Sequence, residues 1–248
     1  MNDLPYLVKT LICLLFRTDN MKKFLLTIQS LMVFSFALAQ HYKYIDSNKV
    51  IGLKPYQQKI VDSPDYKLVE IIKYVPNIVL DIRYATKNNF MHRPMYKLAK
   101  AYARLPVALA LKVIQDELNK QGLGLKIYDS YRPYAVTVMF YEMAKDTTFV
   151  ADPRKGSRHN RGCAIDLTVI NLKTGKELNM PTDFDSFSVK AADNYPHLSK
   201  EKIANREMLK SVMQAHGFKI YHSEWWHYDY NGWPSFPVMD IAFEELGQ

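Results

Sequence analysis

The pattern of hydrophobic and polar residues changes near Leu68 and divides the chain into an irregular part and a regular part. Residues 40–67 are mainly polar, contain two prolines and predict an extended lead-in. From Leu68 onward, β-branched and aromatic runs alternate with segments of helical periodicity. Because no repeat or change of composition interrupts residues 68–248, the pattern predicts one α+β domain there.

Six runs in this domain are typical of strands, and three longer segments are typical of helices. The predicted strands are Val69–Tyr74, Ile78–Tyr84, Leu125–Asp129, Cys163–Ile170, Phe218–His222 and Trp226–Tyr230. The predicted helices run from Pro106 to Gly122, from the turn Ser130–Pro133 to about Lys145, and from the cap Ser199 to His216. A turn at Lys173–Lys176 predicts a hairpin partner for the fourth strand.

Residues 21–39 have the three parts of a secretory signal peptide. Two lysines precede an apolar run, and the sequence Ala-Leu-Ala ends the segment as a cleavage pattern. The apolar run is shorter than the roughly 20 residues that a membrane span requires. The sequence therefore predicts a leader over residues 1–39, a translation start at Met21 and a mature protein from Gln40 that is periplasmic and soluble, without stable membrane insertion.

The composition narrows the classes of function. Hydrophobic residues make up 48% and charged residues 23% of the 248 residues, as expected for a globular protein with a real core. The net charge is +8, but the basic residues are dispersed and form no long run suited to nucleic acid. Of the two cysteines, Cys13 lies in the leader, so the mature protein has the single thiol of Cys163 and no internal disulfide.

Two short stretches carry side chains suited to a metal site. Ser157–Asp166 contains His159 and Asp166, and Glu224 precedes His227 by three residues. Two imidazoles and one carboxylate leave one position open on a four-coordinate zinc ion, as catalytic zinc sites do. A further carboxylate beside that position is a suitable proton acceptor for a water molecule that the metal activates. The pattern favours a zinc hydrolase.

Alternation along two strands predicts which side chains face this site. The apolar positions of the fourth strand include Cys163 and place that thiol in the core, whereas Asp166 faces the other side. In the last strand, His227 and Asp229 lie opposite the aromatic positions. A single histidine in such a position is more often a packed core residue. Two histidines and two carboxylates on faces opposite apolar ones favour a site.

The turn after Leu125–Asp129 provides another candidate, because polar turns at strand ends are where functional sites often gather. Arg132 lies in this turn, although a surface arginine after a turn would give the same pattern. Asp129 could equally be a structural cap for the turn. Tyr131 and Tyr134 are interpreted as packing residues.

The motifs together resemble a known family. Ser157–Asp166 matches the Ser-x-His-x-x-Gly-x-Ala-x-Asp pattern of zinc D-Ala-D-Ala peptidases, whose fold is shared with the hedgehog signalling domain. Glu224–His227 resembles their Glu-x-x-His segment. The stretches Asp81–Phe90 and Asp129–Pro133, with the Trp225-Trp226 pair, resemble the VanX-type dipeptidases more narrowly. Four separated motifs in the right order, spread over about residues 70 to 235, are far more specific than any one of them.

The resemblance implies a single α+β domain in which an antiparallel sheet with flanking helices carries a zinc cleft. It implies one zinc ion per chain, with His159, Asp166 and His227 as ligands. Glu224 would take a proton from water and pass it to the leaving amine. Arg132 would stabilise the oxyanion, a role that suits a fixed guanidinium.

The resemblance also implies how a small dipeptide substrate is held. Ser157 would bind the substrate carboxylate, and Tyr84 and Asp185 would bind its free amine. A dipeptide carries both charges, so an acid at one end of a cleft and donors at the other would measure its length. This chain has Pro181 where the family usually has glycine, four residues before Asp185.

Two other functions fit part of the pattern. A D,D- or L,D-carboxypeptidase that trims peptidoglycan stem peptides would keep the metal site but would need an open groove, and the amine ligands Tyr84 and Asp185 disfavour it. A non-catalytic zinc-dependent binding domain would not need Glu224 or Arg132. The leading hypothesis is therefore an exported zinc-dependent D-Ala-D-Ala dipeptidase of cell-wall peptide metabolism.

Overall fold

The computed structural model describes Lys23 and residues 42–144 and 150–246. The chain divides into the compact units Met1–Tyr44 and Ile45–Gln248. Most of the first unit, including the predicted signal peptide and cleavage pattern, lies outside the described residues. Among the residues that are described, no helix is long and apolar enough to cross a membrane. The second unit contains every element named below.

The described part of this unit contains nine strands and five α-helices, joined by loops and 3₁₀ turns. The strands are β1 (Val50–Ile51), β2 (Leu68–Glu70), β3 (Val79–Leu80), β4 (Tyr102–Arg104), β5 (Leu123–Asp129), β6 (Ala164–Asn171), β7 (Phe218–Tyr221), β8 (Glu224–Tyr230) and β9 (Val238–Met239). The helices are α1 (Leu53–Asp62), α2 (Leu105–Asn119), α3 (Tyr134–Met143), α4 (Lys200–Ala215) and α5 (Phe243–Leu246).

The central sheet has five strands in the order β3-β5-β6-β8-β7. Strands β5, β6, β8 and β7 pair antiparallel, whereas β3 runs parallel to β5. The sheet is therefore mixed, and the expectation of a wholly antiparallel sheet is wrong at its edge. Between β3 and β5 the chain passes through β4 and α2, and such a crossover through a helix brings the next strand back in the same direction.

Helices α2 and α4 cover the sheet through apolar stripes. Leu111, Ile114 and Leu118 of α2 are almost fully buried and recur at helical spacing, and α2 packs on β5. Helix α4 packs on β7 and buries Leu209 and Met213. Helix α2 was predicted from its apolar positions and α4 from the cap Ser199, and both predictions are confirmed.

Two predicted strands are shorter than their β-rich sequences indicate. β2 ends at Glu70 and continues as the 3₁₀ turn Ile71–Lys73, and β3 covers only Val79–Leu80. The partner of β2 is the three-residue strand β4. Pairing therefore ends at Glu70, although the residues that follow still have a high strand propensity. The predicted hairpin partner after β6 is reduced to a single bridge between Ile170 and Glu177.

The segment predicted as an extended lead-in contains a helix. Leu53, Tyr56 and Ile60 of α1 are spaced like one helical face and pack on the core. The Tyr56 hydroxyl accepts a hydrogen bond from the Leu68 amide at 2.8 Å. Pro55 is compatible with the helix because it lies in the first turn, where its missing N–H costs nothing. The extended description of residues 40–67 is therefore wrong here, while the domain boundary itself stays a prediction.

Gly162 has a backbone conformation that other residues rarely adopt. Its φ is +71°, and a Cβ at this position would lie 2.6 Å from Leu68 Cδ2. We predict that Gly162→Ala lowers the free energy of unfolding by about 1–3 kcal/mol, because both the left-handed backbone and the contact are unfavourable. Urea unfolding measures this change, and Gly175→Ala is a control with the same φ sign and open space around it. Equal loss in both variants would contradict the role of the contact.

Candidate metal centre and active site

Three adjacent strands place a row of polar side chains on one face of the sheet. Asp129 at the end of β5 is in register with Asp166 of β6, and Asp166 is in register with His227 of β8. Directly opposite residues of antiparallel strands project from the same face. Cys163 lies directly before β6 and is fully buried, and burial raises the pKa of this thiol to about 12. Its predicted core position is confirmed.

A short turn brings the second histidine to this row. His159 begins the 3₁₀ turn His159–Arg161, which Gly162 ends in a left-handed conformation. The Ser157 hydroxyl accepts a hydrogen bond from the His159 amide at 3.2 Å, and Asn160 Oδ1 accepts one from the Ser157 amide at 2.7 Å. This turn brings the imidazole of His159 back toward Asp166, with Nε2 lying 3.4 Å from Asp166 Oδ1.

The facing atoms of His159, Asp166 and His227 form a triangle. Asp166 Oδ1 lies 3.0 Å from His227 Nδ1 and 3.4 Å from His159 Nε2, and the two nitrogens are 3.2 Å apart. Zinc bonds of 2.0–2.1 Å in a tetrahedral site place neighbouring ligand atoms roughly 3.3 Å apart. All three residues are buried, and they can hold a metal ion. The predicted ligand residues are thus brought together at a spacing that suits zinc.

The outer ring atoms of both histidines have their own partners. His159 Nδ1 lies 2.7 Å from the Ser130 carbonyl oxygen, which can only accept a hydrogen bond. His227 Nε2 lies 2.9 Å from Asp229 Oδ1. When these two nitrogens carry the ring protons, the other ring nitrogens, His159 Nε2 and His227 Nδ1, each direct a lone pair into the triangle. Asp166 Oδ1 is buried without a hydrogen bond, so the cluster fits a cation.

Charge in the cluster leads to the same conclusion. Burial alone lowers the pKa of His227, but the carboxylates of Asp166 and Asp229 beside its ring raise this pKa well above its ordinary value. The two carboxylates therefore favour positive charge at this position of the cluster. A metal ion held by the neutral ring would supply that charge.

We predict that His159→Ala and His227→Ala each weaken zinc binding by more than the roughly 10–100-fold that loss of an outer partner costs. Each change leaves only two protein ligands. Competition with a chromophoric chelator measures the affinity, and elemental analysis measures the zinc content per chain. His216→Ala is the control, because His216 contacts Glu117 and is not among these ligands. Unchanged affinity in both variants would remove these histidines from the metal site.

Glu224 reaches the cluster through an irregularity in the sheet. Glu224 lies three positions before His227, so regular alternation would place the two side chains on opposite faces. The register between β7 and β8 shifts between Ile220 and Tyr221, and Tyr221 pairs with Glu224. Glu224 Oε2 consequently lies 3.7 Å from His227 Nδ1. The pKa of Glu224 is raised to about 7, and burial is the largest cause. Among its neighbours, His227 acts to lower this pKa and Asp166 acts to raise it.

Arg132 is buried rather than exposed at the surface. Its Nε and one terminal nitrogen donate to Asp129 Oδ2 at 3.0 and 2.7 Å, and its guanidinium lies 4.7 Å from the centre of the Phe140 ring. The Tyr96 hydroxyl donates to Asp129 Oδ1 at 2.9 Å. Burial alone lowers the pKa of Arg132, but Asp129 raises it well above its ordinary value. Asp129 is therefore the ion-pair partner of Arg132, a role that sequence reasoning missed.

Tyr84 and Asp185 meet although 101 positions separate them in the chain. The Tyr84 hydroxyl lies 2.9 and 3.1 Å from the two carboxylate oxygens of Asp185. Burial, followed by the nearby Asp166, raises the pKa of Asp185 well above its ordinary value. Pro181 does not prevent this contact. Its carbonyl accepts a hydrogen bond from Lys202 Nζ at 3.1 Å, which anchors the start of the loop.

All eight residues proposed from the sequence line one cleft of about 360 Å³. They are Tyr84, Arg132, Ser157, His159, Asp166, Asp185, Glu224 and His227. The cleft also has apolar walls from Phe90, Phe140, Val150 and Phe187, which sequence reasoning did not identify. Phe90 ends the motif Asp81–Phe90, but no motif marks the other three side chains, which come from separate loops and a helix.

Comparisons with known proteins identify the family of this chain. A family model described as D-ala-D-ala dipeptidase, Peptidase_M15, matches residues 65–244. The chain is 30% identical to the D-alanyl-D-alanine dipeptidase of Escherichia coli (strain K12), over 71% of this chain and 91% of that protein. It is 32% identical to the D-alanyl-D-alanine dipeptidase of Enterococcus faecalis (strain ATCC 700802 / V583), over 60% and 83%.

Another relative is the D-alanyl-D-alanine dipeptidase of Streptomyces coelicolor (strain ATCC BAA-471 / A3(2) / M145), which is 29% identical over 66% of this chain and 90% of that protein. A solved structure of the LdcB LD-carboxypeptidase is 23% identical with a TM-score of 0.35, covering 53% of this chain and 60% of that chain. The family model covers most of the chain and contains every residue of the cleft named above. The chain therefore belongs to the M15 peptidase family of D-Ala-D-Ala dipeptidases.

Proposed function

We propose that this protein is a zinc-dependent dipeptidase that hydrolyses D-Ala-D-Ala by attack of water on the peptide carbonyl. The observation that carries the proposal is the convergence of a cation-binding triangle, a buried carboxylate with a raised pKa and a fixed guanidinium on one cleft. Membership in the family and the names of the relatives support the choice of substrate.

The triangle of His159, Asp166 and His227 would hold the metal. Two imidazoles and one carboxylate are a donor set of catalytic zinc sites, and harder cations such as Mg²⁺ prefer oxygen ligands. A zinc ion bound there would supply a Lewis acid that polarises the peptide carbonyl and lowers the pKa of water. The three residues belong to β6, β8 and the turn before β6, so the sheet fixes their positions.

Glu224 would act as the general base and then as the general acid. Its carboxylate would accept a proton from the attacking water and deliver it to the nitrogen of the leaving alanine. A pKa of about 7 suits both steps near neutral pH, since the group can gain and lose a proton. The side chain is partly exposed to the cleft, where a water molecule can reach it.

Arg132 would stabilise the negative charge that develops on the carbonyl oxygen. Asp129 engages Nε and one terminal nitrogen, and the guanidinium has further N–H donors that can serve the cleft. The ion pair and the Phe140 contact hold the group before substrate binds, so little reorganisation is needed during the reaction.

The two ends of the substrate would be recognised by opposite chemistry. The carboxylate of Asp185, with the Tyr84 hydroxyl beside it, would bind the free ammonium group. Ser157 would donate a hydrogen bond to the substrate carboxylate. Its hydroxyl already accepts a bond from the His159 amide, which leaves its proton for another acceptor.

We further propose that the protein is exported and acts on cell-wall peptides. The support is the signal-peptide pattern over residues 21–39, which ends at Ala39 and favours mature protein from Gln40. A dipeptidase outside the cytoplasm would meet D-Ala-D-Ala released from the wall rather than newly made precursor.

The proposed function is tested by a substrate panel with purified, zinc-loaded protein. D-Ala-D-Ala, L-Ala-L-Ala and a stem pentapeptide that ends in D-Ala-D-Ala are compared by the release of free alanine. We expect the first to be hydrolysed well and the other two poorly. Preferential release of terminal alanine from the pentapeptide would contradict the dipeptidase and support a carboxypeptidase instead.

A further inference from the structure

The two imidazoles of the cluster are held by different kinds of partner. His159 Nδ1 faces the Ser130 carbonyl, a backbone group that no side-chain substitution removes. His227 Nε2 faces Asp229 Oδ1 at 2.9 Å, so its orientation depends on a side chain. Asp229 lies two residues beyond His227 on β8 and therefore projects from the same face of the strand.

The backbone of Asp229 is held within the sheet, and a cation lies beside its carboxylate. Asp229 is in register with Ala164 of β6 on one side and with Lys219 of β7 on the other, so its backbone is held within the sheet. Its side chain is largely buried, and Oδ2 lies 3.5 Å from Arg158 Nε. The Arg158 guanidinium in turn lies 5.0 Å above the centre of the Trp233 ring.

The Asp229 carboxylate approaches the side of the His227 ring that faces away from the triangle. The opposite nitrogen, Nδ1, is the atom 3.0 Å from Asp166 Oδ1 and 3.7 Å from Glu224 Oε2. This geometry argues against Asp229 as an alternative base, because the imidazole stands between it and the atoms of the triangle. It favours a role exerted through His227.

We propose that Asp229 is a positioning residue that holds the ring proton of His227 on Nε2 and directs Nδ1 toward the metal, and that Arg158 fixes Asp229 in this orientation. The inference rests on the function proposed above. A hydrogen bond to the outer nitrogen orients the ring and makes the inner nitrogen a better ligand, and loss of such a partner typically weakens metal affinity or activity about 10–100-fold.

The test compares Asp229→Ala with Asp229→Asn, whose amide oxygen can still accept the bond from Nε2. Zinc affinity is measured by competition with a chromophoric chelator, and kcat and KM are measured for D-Ala-D-Ala. Asp193→Ala is the matched control, since Asp193 is a carboxylate of similar burial, paired with Lys210 at 2.8 Å on a different element. Arg158→Met is included to separate the contribution of the arginine.

We expect Asp229→Ala to weaken zinc binding by about 10–100-fold, while Asp229→Asn and the Asp193 control stay within about threefold of wild type. Arg158→Met should fall between Asp229→Asn and Asp229→Ala. At saturating zinc, the loss in Asp229→Ala should lie in kcat rather than in KM, because the substrate ends are held elsewhere. Equal zinc affinity in Asp229→Ala and wild type would overturn the inference.

A nuclear magnetic resonance measurement on the zinc-loaded wild type keeps the inference open to refutation even where Asp229→Ala does not fold. The Nε2-bound proton of His227 should give a slowly exchanging, downfield signal that Asp229→Asn shifts upfield. A rapidly exchanging Nε2 proton in wild type would contradict the hydrogen bond. If wild type binds no zinc, the proposed function fails as well; if it binds zinc and is active while Asp229→Ala matches it, only the inference fails.

Discussion

Glu224→Gln is expected to lower kcat/KM for D-Ala-D-Ala by about 10²–10⁴-fold, the usual contribution of a general acid–base group. The amide keeps the size and most contacts of the side chain but cannot accept the proton of the attacking water. Burial raises the pKa of Glu224 to about 7, which poises the carboxyl for this transfer, whereas Asp166 and Asp185 each have a closer partner in the cleft.

The measurement is steady-state hydrolysis with zinc content determined on the same samples. Zinc content and the free energy of unfolding should stay close to wild type, because Glu224 is not one of the three ligands of the triangle. Glu201→Gln on α4 serves as the control, since Glu201 is exposed and contacts Asn179 outside the cleft. Near-normal turnover of Glu224→Gln would place the base elsewhere.

The second large effect concerns the free amine of the substrate. An acetylated dipeptide has no ammonium group to pair with Asp185, so binding it would leave this carboxylate without a cation. Removing one partner of a buried ion pair costs about 3–5 kcal/mol, which corresponds to roughly two to four powers of ten in specificity. N-acetyl-D-Ala-D-Ala should therefore be a much poorer substrate than D-Ala-D-Ala.

Measuring both substrates with wild type and with Asp185→Ala isolates the contact between Asp185 and the substrate amine. Asp185→Ala should reduce kcat/KM for the free dipeptide strongly and for the acetylated dipeptide little, so that the difference between the two substrates narrows. Asp183→Ala is the matched control, because Asp183 lies in the same loop but is exposed and does not line the cleft. Equal turnover of both substrates by wild type would contradict the role of Tyr84 and Asp185 and would favour a carboxypeptidase.

The part of the site that the sequence predicts well lies on regular strands. Alternation placed Asp166 on the face opposite Cys163, and cross-strand pairing with His227 then completed two corners of the triangle. His159 was predictable because Gly162 allows the turn that brings it back. These inferences depend on local geometry, which a motif specifies through residue spacing.

Features that depend on distant contacts were not predictable in the same way. The register shift at Tyr221 brings Glu224 to the face of His227, and alternation alone would have separated them. The pairing of Asp129 with Arg132 also involves Tyr96, which lies 33 positions before Asp129 in the chain. Asp185 has a φ of +60°, a left-handed conformation that no local pattern marked.

The secondary structure also divides into elements that the local sequence predicts and elements that depend on distant contacts. Helix α2 has a buried apolar stripe and α4 begins at the side-chain cap Ser199, and both were recognised; α1 has no side-chain cap and was not. β-rich runs overestimated β2 and β3, because strand length is set by the partner available for pairing and not by propensity alone.

The central claim is that one metal ion in the triangle of His159, Asp166 and His227 makes the cleft a dipeptidase. Its most direct test is a titration of metal-free protein with zinc, in which bound zinc and the rate of D-Ala-D-Ala hydrolysis are measured on the same samples. The account predicts that the rate rises in proportion to bound zinc and levels off at one ion per chain. Full activity in the metal-free protein, or no activity at one bound zinc per chain, would contradict it.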